Sequence, residues 1–238
     1  MVGCECAVCT SGDANDTRLR SSILVQSEST TIVVDTTPDF RYQMLRENVK
    51  QVHAVLITHP HKDHVAGIDD TRPFQFLHQQ PTEVYGSAMS LEGIRKEIPY
   101  AFQDLKYPGI PKINLNEIGN DPFLIGDIEV QPINVWHYKM PVLGFRFGAF
   151  TYITDANQID ETEKEKIRGS EIMVLNALRK EAHISHFTLQ EAVEMVQELQ
   201  VPRGYFTHIS HQLGLHTHIN ADLPNGIALA FDGLKLYI

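Results

Sequence analysis

Thr58-His59-Pro60-His61-Lys62-Asp63-His64 places three imidazoles and one carboxylate within six residues. They follow the apolar run Val55-Leu56-Ile57, which reads as a buried strand. A rigid strand that ends in a tight loop can hold ligands out to solvent. Side chains alternate along an extended segment, so His59 and His61 project to one side and can close on one metal ion. Asp63 shares their parity, while His64 needs the chain to turn, as at the start of a helix through Val65, Ala66 and Gly67. That suits two adjacent metals, with His59 and His61 on the first and Asp63 and His64 on the second. Two divalent ions roughly 3.5–4 Å apart form a clamp for hydrolysing phosphate or acyl bonds. The competing reading is a polar loop of surface histidines, and the density of ligand types after an apolar strand counts against it.

Further ligand candidates end other predicted strands. Ile128 to His137 alternates as a strand and stops at His137, a candidate to complete the first site. The strand at Phe150–Thr154 delivers Asp155, a carboxylate able to bridge two ions. Asp155 competes with Asp160 as N-cap of the charged helix at 161–168, and Asp160 lies nearer to it. His186 sits just ahead of a helix at 189–199, for which Thr188 and Glu191 form a capping box. A helix N-terminus disfavours imidazolium there and attracts an anionic substrate group. Tyr205 to His211 reads as a strand, on which residues three apart face opposite ways. His208 is therefore assigned to the metal pair and His211 to a separate site. That site is Cys4-x-Cys6-x-x-Cys9, three thiolates whose tetrahedral zinc needs a fourth ligand. His216 and His218 are rivals for that place, whereas His53, His78 and His183 are expected to have no metal role. Arg72 is read as an anion holder or as the ion-pair partner of Asp69 or Asp70.

The elements that must position these groups are legible in outline. Ser22–Gln26 and Thr31–Asp35 read as a hairpin, then a helix to about Val49, with the strand His53–Thr58 feeding the metal loop. Glu83–Gly86 is a strand, Ser87–Glu97 a helix, and Pro99–Pro111 an irregular flap or connector. Val142–Phe147 and Glu171–Leu175 are further strands, and 227–238 reads as a hairpin around Asp232-Gly233. With 238 residues, 42% of them apolar, the chain has enough material for one large core, so a single domain over 1–238 is expected. Two groups of strands interspersed with helices favour an α/β (α+β) architecture of two sheets with helices outside. The formal net charge of −10 argues against a broad nucleic-acid footprint. No apolar run approaches a membrane span and no signal-peptide pattern is present, so a cytoplasmic protein without membrane partners is expected.

The cysteine cluster, T-H-P-H-K-D-H, His137, Thr154-Asp155-Ala156, His186-Phe187-Thr188 and Phe206-Thr207-His208-Ile209-Ser210-His211 together resemble the metallo-β-lactamase-fold hydrolases. Within these the chain is similar to the phosphodiesterase branch typified by phosphoribosyl 1,2-cyclic phosphate phosphodiesterase. The resemblance implies a four-layer αββα sandwich of two mixed sheets. It implies that His59, His61 and His137 hold one divalent ion (zinc, manganese or iron), Asp63, His64 and His208 the other, and Asp155 bridges them. It also implies a structural zinc on Cys4, Cys6, Cys9 and His211, and a general-acid role for His186, with Asp63 counted with the catalytic groups as well as the ligands. Relatives carry a strand and a glycine-rich turn ahead of the cysteines, so this chain is expected to lack that first strand or to begin downstream of the true start. The expected activity is hydrolysis of a small, cyclic or linear, phosphodiester by a hydroxide held between the metals. A nuclease resembling tRNA 3′-processing enzymes and a non-catalytic metal-binding scaffold are the alternatives, and a homodimer is left open.

Overall fold

In the computed structural model, which describes residues 1–103 and 107–238, three of the described strands are buried from end to end: Ala54–Leu56, Phe150–Ile153 and Ile172–Asn176. The first leads into the candidate ligands that start at His59, and the second into Asp155. Tertiary contacts divide the chain into two units, 20–130 and 1–19 with 131–238.

The 20–130 unit holds β1 (Ile23–Gln26), β2 (Thr31–Val34), α1 (Phe40–Arg46), β3 (Ala54–Leu56), α2 (Lys62–Val65), α3 (Arg72–His78), β4 (Thr82–Gly86), α4 (Ala88–Glu97), β5 (Ile113–Glu117) and β6 (Phe123–Ile125). The first five strands form one sheet in chain order, with β1 antiparallel to β2 and the others parallel. β3 has no exposed residue, as a parallel strand covered on both faces requires. Val55, Ile57, Val84, Leu91 and Ile94 form the core beneath it. Ser87 caps α4 by accepting from the Ser90 N–H, as expected for that residue type.

The other unit holds β7 (Ile128–His137), which starts just ahead of it, then β8 (Met140–Phe147), β9 (Phe150–Ile153), α5 (Glu161–Ile167), β10 (Ile172–Asn176), α6 (Leu189–Glu198), β11 (Arg203–Thr207), α7 (His216–Asp222) and β12 (Ile227–Leu229). The strand order is β12-β11-β10-β9-β8-β7-β6, with β9 to β12 parallel, β7 to β9 antiparallel, and β6 pairing with the opening residues of β7. The capping box at α6 is complete: Thr188 Oγ1 accepts from the Glu191 N–H, and the Glu191 carboxylate accepts from the Thr188 N–H. Ala192, Val193 and Val196 turn its apolar face into the core with Met173, Leu175 and Phe206.

Several sequence expectations are corrected. The helix expected up to Val49 ends at Arg46, and α2 begins at Lys62, so Asp63 is helical and the parity argument does not govern it. β5 was not anticipated, because Ile-Asn-Leu-Asn-Glu has weak strand propensity. Asn114 and Asn116 compensate by donating across the sheet to the Glu83 carboxylate at 2.5 and 2.8 Å. β6 was likewise missed. Asp160 stands at the N-cap of α5 but makes no capping bond, because its carboxylate accepts from Trp136 Nε1 and Gln158 Nε2. The C-terminal hairpin does not form. β12 pairs in parallel with β11, Asp232 accepts from the Leu19 N–H, and residues 234–238 lie outside any strand. Residues 104–106 of the predicted flap or connector lie outside the described residues.

Candidate metal centre

In the 20–130 unit, β3 ends against a network that fixes the histidines of the 58–64 loop. Asp35 follows β2 at φ +66 and is fully buried. Its carboxylate accepts from the Thr58 N–H and the Thr58 hydroxyl, both at 2.8 Å, and from His64 Nδ1 at 2.7 Å. The Thr58 hydroxyl, having given its proton to Asp35, accepts from His59 Nδ1 at 2.9 Å. One carboxylate thereby sets both buried imidazoles with Nδ1 protonated and Nε2 available as a lone pair, which is how outer-shell groups prepare metal-ligating histidines. His59 Nε2 lies 3.0 Å from His61 Nδ1, an approach of two ring nitrogens that needs a shared proton or cation between them. The His59 and His64 rings are 4.1 Å apart, and His64 Nε2 lies 3.7 Å from Asp63 Oδ2.

In the other unit, His137 ends β7 and its Nδ1–H donates to the Ser185 carbonyl at 2.8 Å, again leaving Nε2 for a ligand. Asp155 lies two residues beyond β9 at φ +53, nearly fully buried, with the Thr154 hydroxyl donating to it. Behind it, Asn176 clamps Ala156 through both backbone groups at 2.8 and 2.9 Å. His208 follows β11 at φ +52 and brings Nε2 to 3.1 Å from Asp155 Oδ1. His186 stacks on His208 with centroids 4.9 Å apart and meets His137 edge-on at 4.6 Å. Ligand atoms of Asp155, His186 and His208 all lie within 4.8 Å of one another, so the structure admits His186 as a ligand as well as an acid. His186 Nδ1 is buried without a hydrogen-bond partner among the described residues. Burial pushes this ring down to about 3, against the pull of Asp155. Desolvation is the largest cause of that lowering.

Cys4, Cys6, Cys9 and His211 also converge, with ligand atoms within 4.8 Å of one another. His211 Nδ1 is 3.5 Å from Cys4 Sγ and 3.4 Å from Cys6 Sγ, and its hydrogen bond draws Cys6 down to about 6. Three sulfurs and one imidazole fit a closed tetrahedral zinc site. The grouping matches expectation although its premise does not: β11 stops at Thr207, so strand parity cannot reach His211. The rival His216 lies in α7 with its Nδ1 at 2.9 Å from Arg18, and His218 joins no such cluster among the described residues. His53 Nδ1 accepts from the Thr31 N–H and His78 donates to the Lys50 carbonyl, both structural roles. His183 packs on His186 at 5.0 Å. Arg72 pairs with Asp69 at 3.2 Å and donates to the Gly109 carbonyl. Asp35 and Asn176 were missed in sequence. The only available cue was a polar residue at each apolar strand's end, which is indistinguishable from an ordinary turn.

The family model described as Beta-lactamase superfamily domain matches residues 30–209, a span that includes every candidate ligand from His59 to His208. The chain is 36% identical to a new diphosphatase from the PhnP family, whose crystal structure superposes with a TM-score of 0.93 over 100% of this chain and 91% of that one. PqqB from Methylobacterium extorquens, solved with bound Zn(2+), shares the fold at 20% identity and a TM-score of 0.74, over 100% of this chain and 95% of that one. A protein named octanoyltransferase from Porphyromonas gingivalis (strain ATCC BAA-308 / W83) is 35% identical over 240 residues, covering 100% of this chain and 48% of the relative. The chain thus spans about half the length of that curated relative. Two mixed sheets with helices are the expected metallo-β-lactamase type of fold, and among the described residues no helix is long and apolar enough to cross a membrane. The chain belongs to the beta-lactamase superfamily and, within it, to the PhnP family.

Proposed function

We propose that this hydrolase of the metallo-β-lactamase fold is a two-metal phosphodiesterase acting on a small diester. The observation that carries the reading is that His59, His64 and His137 each have Nδ1 engaged by a protein oxygen, on Thr58, Asp35 and Ser185. Such fixed tautomers on three histidines, one ending β7 and two in the loop and helix after β3, have little use except to present Nε2 to a metal. The residues fit divalent ions: His59, His61 and His137 would hold one, Asp63, His64 and His208 the other, and Asp155 both. Ions bound there supply Lewis-acid stabilisation of the phosphoryl oxygens and lower the pKa of water.

The chain's own residues account for the rest. Asp35 and Thr58 keep the ligand nitrogens deprotonated and oriented. Asp155, held by Thr154 and by the Asn176 clamp on Ala156, offers a carboxylate whose position does not depend on solvent. His186 is neutral at neutral pH, since burial lowers it to about 3. An anionic phosphodiester beside the ring would favour its charged form, with the proton taken from solvent, and that form is the one able to protonate a departing alkoxide. Cys4, Cys6, Cys9 and His211 would hold a zinc that ties residues 4–9 to the segment just beyond β11.

A second reading is cleavage of a P–O–P diphosphate bond, favoured by the relative described as a diphosphatase and similar over the whole chain. Both readings are tested with purified protein, metal-reconstituted or chelator-treated. The panel is bis(p-nitrophenyl) phosphate, a 2′,3′-cyclic nucleotide, a dinucleoside diphosphate and a 3′-extended tRNA precursor. Chelator-sensitive hydrolysis of the first two is expected, and turnover of the dinucleoside diphosphate alone selects the second reading. Cleavage of the tRNA alone selects the nuclease alternative. Metal binding without turnover of any compound overturns the hydrolytic reading in favour of a scaffold.

A further inference from the structure

The loop joining β7 to β8 is two residues long, Tyr138 and Lys139, closed by the His137–Met140 pair. Loops this short place backbone at positive φ, where glycine, asparagine or aspartate ordinarily stands. Here Tyr138 takes φ +59. A bulky ring in the left-handed region is strained, and such strain gathers at ligand-binding sites. The conformation is pinned from the far side, because the Tyr138 N–H donates to Asn157 Oδ1 at 2.7 Å, two residues beyond Asp155. The ring adds little to the core, since Tyr138 is 51% exposed. Lys139 Nζ stands 5.2 Å from its centroid, held by the ring's negative face. Tyr138 directly follows His137, whose bond to the Ser185 carbonyl draws the 183–186 segment alongside, including Ile184, which is 66% exposed. Two exposed hydrophobic side chains and a lysine thus flank a candidate ligand.

We propose that Tyr138 is a stacking platform for a planar heteroaromatic ring on the substrate, a nucleobase, with Lys139 facing the adjacent phosphate. The proposal rests on the phosphodiesterase reading and narrows it to nucleotide-type diesters. Stacking suits an exposed aromatic side chain because it tolerates any base and needs no further hydrogen-bonding groups. A glycine in the same place would make the turn without strain, so the turn alone does not account for a tyrosine ring there.

The test compares adenosine 2′,3′-cyclic phosphate with methyl ribofuranoside 2,3-cyclic phosphate, which lacks the base, on wild type, Tyr138→Ala, Tyr138→Phe and Tyr138→Gly. Wild type should favour the base-bearing compound by roughly tenfold in kcat/KM, through KM, the size of one base–aromatic stack. Tyr138→Ala and Tyr138→Gly should erase that ratio, and Tyr138→Phe should keep it. Tyr138→Gly should melt no lower than wild type, so its lost ratio cannot be ascribed to unfolding. Hydrolysis of both compounds with a ratio near one, or a ratio that survives Tyr138→Ala, overturns the platform and leaves the hydrolase reading standing. Hydrolysis of neither compound while bis(p-nitrophenyl) phosphate is still cleaved overturns the platform alone, and loss of all three activities overturns both.

Discussion

Asp35 is the residue whose replacement best separates metal-site orientation from folding. Its buried carboxylate accepts three hydrogen bonds at 2.7–2.8 Å, two from Thr58 and one from His64 Nδ1. Asparagine is the informative substitution because it tolerates φ +66, so the backbone need not move. The Asp35→Asn side chain would keep one oxygen for the Thr58 N–H but turn an amide N–H toward the Thr58 hydroxyl and His64. The hydroxyl can rotate, but His64 can escape the clash only by moving its proton from Nδ1 to Nε2. That move takes away the lone pair a metal needs. One or two compromised buried donors, each costing ~1–3 kcal/mol, predict a loss of about 2 kcal/mol in the metal-free protein. The lost outer-shell partner predicts metal binding weaker by roughly 10–100-fold. Asp35→Ala leaves all three donors unpaired and should cost about twice as much stability. Urea unfolding of metal-free protein gives the first number, and competition with a chromophoric chelator gives the second. An Asp35→Asn protein that unfolds at the wild-type midpoint and binds metal as tightly would refute the tautomer argument.

Four further outcomes follow from the same structure. His186→Ala should keep its metal content while turnover drops by roughly 10²–10⁴-fold, whereas loss of one ion on elemental analysis would make His186 a ligand beside Asp155 and His208. Cys6→Ser should lower both the melting temperature and the zinc count by one ion per chain without touching the other metals, and an unchanged zinc count contradicts the site. Because Cys6 is drawn from 9 to about 6, chiefly by His211, its thiolate stabilises the folded form fully above pH 9 and that contribution fades as pH falls through about 6. Unfolding of metal-free protein followed across pH 5–9 should therefore show stability rising with pH in wild type, with a flatter profile in Cys6→Ser. Gly67→Ala would set a methyl 2.0 Å from the Thr37 carbonyl oxygen and 2.8 Å from Phe40 Cβ, and backbone cannot yield as a side chain does. It should destabilise by about 3 kcal/mol, at the upper end of overpacking costs, and a wild-type unfolding midpoint would show that the helix bearing Asp63 and His64 tolerates the shift.

How much of this was readable in the sequence depends on how each residue earns its position. Apolar runs name their strands directly, so Ile172–Asn176 and the strand before Thr58 are visible from composition, and Thr188 with Glu191 names the start of α6. The candidate ligands are legible because histidine at or just beyond strand ends is chemically conspicuous. What the sequence hid was the geometry between elements. Parity assigned His211 to the cysteines by assuming a strand that ends four residues earlier, at Thr207. The Asp232-Gly233 pair has the right chemistry for a hairpin turn, yet β12 finds its partner in β11. Local signals are outweighed there by pairing with a strand far away in the chain.

The backbone carries one signal of the site that side-chain chemistry alone does not. Among the described residues, seven other than glycine take positive φ: Asp35, Asn48, Gln79, Tyr138, Asp155, Gln200 and His208. Three of them close helices. Gln79 is the C-cap of α3, and Asn48 and Gln200 lie one residue beyond the C-caps of α1 and α6, where left-handed residues are routine. The other four stand just past the C-terminal ends of β2, β7, β9 and β11. No helix cap explains those four; the region is familiar for aspartate and histidine, whereas for a tyrosine it costs of order 1–3 kcal/mol and persists only where the surroundings over-determine it. They are the hydrogen-bond partner of His64, the residue after His137, and the candidate ligands Asp155 and His208. A strand continued in extended geometry would alternate these side chains away from its end, whereas a single left-handed residue turns the chain sharply at the tip. Three of the four are thus candidate ligands or the partner of one, of residue types that enter the left-handed region readily, and Tyr138, the one member without ligand chemistry or a bond to a candidate ligand, is the member whose presence demands a function of its own.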